Sequence, residues 1–177
     1  MKPYTVGRIV LECYFILLIA AVFSLLAGFL LQGNLERIMR ISLLVALVPP
    51  LNNLGGSIGC IVGSRMGTVL HLSGEKGGRK QLGFNLSAGL TSGILSFLLV
   101  GMVLLFLRPL GFSSLAPAFV LAGLLQTAFS VFVSAWLAFI SFREGLDPDN
   151  VVAPLITSFC DVTGVASLLL AARLLGL

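Results

Sequence analysis

The sequence predicts an all-α integral membrane protein: one transmembrane domain over residues 1–177, with five membrane-spanning helices and a cytoplasmic amino terminus. Three observations carry this. Hydrophobic residues make up 58% of the chain and charged residues 10%, and the mean hydropathy is +1.09, so there is too little polar surface to cover a soluble globule. The apolar residues gather in runs of roughly 20 or more, the length that crosses about 30 Å of hydrocarbon. The basic residues fall mainly between those runs, where orientation signals sit.

The spans run approximately over 11–31, 41–64, 86–107, 115–142 and 151–175. The first follows Lys2 and Arg8 as the core of a signal peptide would, but no small-residue cleavage site closes it before Gln32, so it reads as a retained span. The second holds VPPLNNLGGSIGCIVGSRMG over 48–67. Pro49 and Pro50 remove two backbone donors, which predicts a break there. In hydrocarbon the freed carbonyls need partners, and the Asn52 and Asn53 amides can supply them, or the carbonyls can serve as ligands. Glycines 55, 59, 63 and 67 lie four apart, so they share nearly one helix face and let another backbone approach closely. The longest connection, 65–85, holds His71, Glu75, Lys76, Gly77, Gly78, Arg79 and Lys80 and is expected to be a loop. Spans three and four are apolar runs without an internal acid. Little chain remains for a soluble regulatory domain, so none is expected.

An odd number of spans puts the termini on opposite sides. With the amino terminus inside, Lys2, Arg8, Arg65, Lys76, Arg79, Lys80 and Arg143 are cytoplasmic, against Arg37, Arg40, Arg108 and Arg173 outside; the basic excess marks the inner side. The net charge of +4 therefore serves orientation, and no basic patch with interleaved aromatics points to nucleic acid. Cysteines 13, 60 and 160 lie in apolar runs without metal or redox spacing and read as packing residues. No Ser-His-Asp arrangement, HExxH or phosphate-binding glycine loop suggests an enzyme or a cofactor.

The last span carries the chemistry. Asp161 lies about ten residues into it, near the bilayer midplane at 1.5 Å per residue. A carboxylate at that depth costs at least about 2.5 kcal/mol and marks an ion or proton path by default; a protonated structural Asp is the plain alternative. Thr157 and Gly164 flank it at one-turn spacing. No basic residue within a span lies at comparable depth, so a mobile cation is the simplest counter-charge. Two copies of the acid on the axis of a homodimer would offset one divalent ion.

At this point a family resemblance appears. GGSIGCIVGSRMGTVLHLS in and after span two, and DPDNVVAPLITSFCDVTG entering span five, resemble the paired signatures of MgtE-type magnesium transporters and their eukaryotic solute-carrier relatives. The resemblance implies a multi-pass protein of the cell membrane, a homodimer that conducts Mg²⁺ through a pore lined by spans two and five. It makes Asp161 the central pore acid, holding a largely hydrated ion. Gly55, Gly56 and Gly59 fall on the family's GG-x-x-G positions, and Ser57 falls where many members have Asn or Asp. Ser57 is a weaker oxygen ligand, and Asn53, one turn away, offers an amide instead. The metal-site candidates are thus Asp161, Ser57, Asn53, Thr157 and Gly56.

Mg²⁺ prefers octahedral oxygen and sheds water reluctantly, which suits acids, hydroxyls, amides and carbonyls. Cys160 is next to Asp161 in sequence but about 100° away around an ideal helix, leaving a softer-metal transporter (Zn²⁺, Mn²⁺, Co²⁺) as an alternative. A proton-coupled transporter would use the same Asp161, and a membrane scaffold would use the glycine face for packing alone. Asp147 and Asp149, with Glu144 nearby, form a possible entrance that concentrates cations, or a solvated loop; Glu12 is a further acid at the start of span one.

Overall fold

The computed structural model describes residues 5–36, 43–107 and 111–176. Lys2, Arg37, Arg40 and Arg108, which enter the charge count, lie outside the described residues, as do 41 and 42 at the expected start of span two. Among the described residues the regular structure is helical: α1 (Val6–Gly33), α2 (Leu43–Phe106), a short 3₁₀ turn (Phe112–Leu115), α3 (Ala116–Arg143) and α4 (Pro148–Leu174). Four of these segments are long and apolar enough to cross a membrane: α1, α2, residues 112–143 and α4.

Local chemistry sets the helix ends. Thr5 caps α1, its Oγ1 accepting from the Arg8 backbone N–H at 3.3 Å. Asp147 caps α4 by accepting from the Asp149 N–H at 3.0 Å, with Pro148 in the first turn, where a missing donor costs nothing. Pro117 likewise sits at the start of α3.

α2 departs from the expected layout. The expected break at Pro49–Pro50 does not occur: both prolines lie inside the helix, and its one non-helical residue is Gly74, at φ 63° and ψ −170°. Proline's fixed φ is a helical φ, so the pair costs the Val45 and Ala46 carbonyls their donors without reversing the chain. Reversal needs the conformation that only glycine enters freely, and at Gly74 the helix doubles back. Its arms, 43–73 and 75–106, run side by side, with Arg65 Nε donating to Asn85 Oδ1 at 2.8 Å across them. The expected loop over 65–85 is therefore helical on both sides of Gly74. Its charges support the helix: Arg79 pairs with Glu75 one turn away at 3.6 Å, and Arg143 of α3 grips both Glu75 oxygens at 2.9 and 3.0 Å.

The core lies between the α2 arms, α3 and α4, around Leu51, Met66, Leu70, Phe97, Phe119 and Ile156, all fully buried. Phe97 and Phe119 pack ring to ring at 5.6 Å. α1 lies against α4, with Phe23 edge-on to Phe159 at 4.4 Å; much of its remaining surface, from Leu11 to Phe29, is exposed hydrocarbon side chain, as a lipid-facing helix requires.

Candidate functional site

The glycine face of α2 meets two helices, and that contact builds the site. A Cβ at Gly55 would strike Gln126 of α3, one at Gly63 would strike Val152 of α4, and one at Gly67 would lie 3.0 Å from Asp149 Oδ1. At Gly59 it would meet the hydroxyls of Ser130 and Ser134 and the Ile156 side chain. The bare backbone that results is itself bonded, with Ser130 Oγ donating to the Gly55 carbonyl at 2.6 Å. This face serves helix packing.

Packing this close brings Asn52 onto Asp161. Asp161 stands midway along the 27-residue α4 and is half-buried. Asn52 Nδ2 donates to Asp161 Oδ1 at 3.2 Å and approaches its backbone carbonyl at 3.5 Å. Ser24 Oγ of α1 donates to Asp161 Oδ2 at 3.2 Å and lies 3.4 Å from Ser158 Oγ. One carboxylate is thus held by neutral donors from two other elements, and no Lys or Arg forms an ion pair with it among the described residues. Asn52 Oδ1 is buried without a hydrogen-bond partner among the described residues, pressed against the position where a Gly164 side chain would begin. Only glycine leaves space for it.

The other expected ligands divide. Gly56 faces Thr157, whose Cγ2 would lie 3.3 Å from a Cβ at Gly56, while Thr157 Oγ1 bonds back to the Ala153 and Pro154 carbonyls at 3.0 Å each. Asn53, Ser57 and Thr157 are exposed on the surface of the chain, and the amide touching Asp161 is that of Asn52. Asn52 and Ser24 are the residues that sequence reasoning left out of the site. Behind Asp161 a second polar layer fixes α4: Gln126 Nε2 donates to the Cys160 carbonyl at 3.0 Å, and Thr163 Oγ1 donates to Gln126 Oε1 at 2.9 Å. Cys160 itself is fully buried.

At the start of α4, Asp147 and Asp149 meet His71 from the first arm of α2, with His71 Nε2 3.3 Å from Asp147 Oδ1. Glu12 is held by Arg8 Nε at 2.7 Å and by Asn150 Nδ2 at 3.3 Å, so it ties α1 to α4 as a structural acid. Glu144 is exposed.

Comparison with known proteins places these residues in a shared region. The profile of the MgtE family, described as "Divalent cation transporter", matches residues 48–171, which include Asn52, His71, Asp147, Asp149 and Asp161. The chain is 28% identical over 152 residues to Solute carrier family 41 member 2 of Xenopus laevis, covering 75% of this chain and 27% of that protein. It is 42% identical over 96 residues to Magnesium transporter MgtE of Thermus thermophilus, covering 54% and 20%. Against Solute carrier family 41 member 2 of Mus musculus it is 26% identical over 178 residues, covering 89% and 31%. The chain spans from a fifth to under a third of the length of these relatives. No solved structure matches it.

Proposed function

Because the chain belongs to the MgtE family of divalent cation transporters, we propose that it moves Mg²⁺ across the cell membrane, with Asp161 as the acid of the ion path. The observation that carries this reading is the setting of Asp161: midway along an apolar helix, bonded by Asn52 and Ser24, with no cationic side chain paired to it among the described residues. Two neutral hydrogen bonds orient a carboxylate but leave its charge in place, and a carboxylate at membrane depth costs at least about 2.5 kcal/mol. A passing divalent cation supplies the missing counter-charge. Hard oxygen donors around it suit Mg²⁺ that keeps much of its water, and Cys160, the thiol next in sequence, is fully buried and so closed to a passing softer ion.

In this reading each arm of α2 crosses the bilayer once, giving five crossings with the amino terminus inside, and two chains pair about a two-fold axis. The exposed polar residues Asn53, Ser57 and Thr157 then face the partner, beside the two Asp161 carboxylates. The test is Mg²⁺ uptake into liposomes holding the purified protein, read by an entrapped indicator. Uptake that saturates with Mg²⁺ and is lost in Asp161→Asn supports the proposal; liposomes no leakier than empty ones would reduce the chain to a membrane scaffold.

A further inference from the structure

We propose that His71, Asp147 and Asp149 bind one transition-metal ion of the Zn²⁺ class at the Gly74 end of the helical hairpin, separate from the Mg²⁺ path. One nitrogen and two carboxylate oxygens from these side chains lie within 4.8 Å of one another. A tetrahedral ion about 2.1 Å from each donor holds them about 3.4 Å apart, so the donors must close by up to about 1.4 Å, a movement that rotation of the exposed Asp149 side chain can supply. The donors come from two elements that the glycine face brings into contact. Gly67 and His71 are one turn apart on α2, and the absent side chain at Gly67 lets Asp149 Oδ1 approach that helix.

Helix capping accounts for only part of the cluster. Asp147 Oδ1 both caps α4 and meets His71, whereas no hydrogen bond reaches the Asp149 carboxylate among the described residues. Two carboxylates beside one imidazole carry a negative charge that a divalent cation offsets. The imidazole selects the ion: Mg²⁺ prefers oxygen, while imidazole nitrogen suits Zn²⁺ and its neighbours. Asp149 is exposed, so the site opens to solvent. It lies twelve residues from Asp161, about 18 Å along the helix, and does not depend on the pore reading.

The test is titration of the purified protein with Zn²⁺ in excess Mg²⁺, with Co²⁺ as an optical probe of the imidazole ligand. Wild-type protein is expected to bind one Zn²⁺ per chain. His71→Gln and Asp149→Asn should each weaken this by about tenfold or more, since even outer partners of metal ligands are worth 10- to 100-fold, while Asp161→Asn should bind as wild type. Circular dichroism and elution volume check that each variant is folded, and either ligand variant suffices if the other is not. Zn²⁺ binding unchanged in the folded ligand variants, or lost in Asp161→Asn, would overturn the proposal.

Discussion

Asn52 of α2 reaches across to α4 and donates from Nδ2 to Asp161 Oδ1 at 3.2 Å, fixing the orientation of the one carboxylate that lies midway along an apolar helix. A hydrogen bond to a charged group contributes about 1.5–3 kcal/mol. Asn52→Ala should therefore leave Asp161 poorly oriented and raise the Mg²⁺ concentration for half-maximal uptake by about tenfold, the equivalent of 1.4 kcal/mol. An unaltered half-saturation point in a folded Asn52→Ala protein would remove Asn52 from the ion site.

Gly164 gives a paired test of the same contact. A methyl group there would collide with Asn52 Oδ1, and overfilling a packed site costs about 1–3 kcal/mol. Gly164→Ala is expected to lower thermal stability and uptake together. Adding Asn52→Ala should restore the stability, because the colliding amide is gone, without restoring the uptake. If the double variant unfolds as early as the single one, the strain lies elsewhere.

At Gly59 the neighbours are the Ser130 and Ser134 hydroxyls and Ile156, so a side chain there has no free direction. Gly59→Leu should separate α2 from α3 and α4 and reduce the yield of monodisperse protein. Ser57→Leu, on the exposed side of the same helix, should be far milder in the detergent-solubilised protein. Equal yields for the two would show that the helices pack less closely than the glycine face requires.

Asp161 was legible because a lone acid stands out in an apolar run, whatever surrounds it. The amide was harder. Asn52 and Asn53 are adjacent in sequence but about 100° apart around a helix, and the residue that continues the glycine stripe through 56, 59 and 63 toward α4 is Asn52. The four-residue glycine spacing of 55, 59, 63 and 67 leads back to Leu51, so the α4-facing line that includes Asn52 emerges only from the contacts of Gly56, Gly59 and Gly63 with Thr157, Ile156 and Val152. Ser24 had no such signal, since a serine in a uniformly apolar helix points nowhere until its partner, 137 residues away, is known. The hairpin failed for a different reason. Prolines mark lost hydrogen bonds, but the turn is made by Gly74, which sequence does not separate from Gly77 and Gly78 close by. The charges expected in a loop lie along helical arms, where Glu75 bonds to Arg79 and to Arg143 of α3.

If two chains share the ion path, the exposed polar side of α2 should face its copy. Ser57→Cys in a background lacking Cys13, Cys60 and Cys160 is expected to cross-link between chains in the membrane. Leu99→Cys, exposed on the second arm, should not. Cross-linking equally at both positions would indicate random collision, and none at Ser57 would place the pairing surface elsewhere.

Asp161→Asn separates the charge of the site from its shape. The substitution keeps size and much of the hydrogen bonding, so Ser24 retains an acceptor, and the Asn52 amide can turn to suit its new partner. The desolvation cost of the carboxylate disappears. The protein should therefore be as stable as wild type or more so, by thermal unfolding in detergent, while Mg²⁺ uptake falls to the level of empty liposomes at every Mg²⁺ concentration tested. Asp149→Asn, out at the start of α4, should lower uptake only modestly and lose that effect as salt rises, because an exposed charge acts through a screened field. A purely structural Asp161 predicts the reverse, with stability falling as hydrogen bonds are disturbed and uptake surviving in whatever protein still folds. Near-normal Mg²⁺ uptake in a stable Asp161→Asn protein would end the assignment of Asp161 as the acid of the ion path.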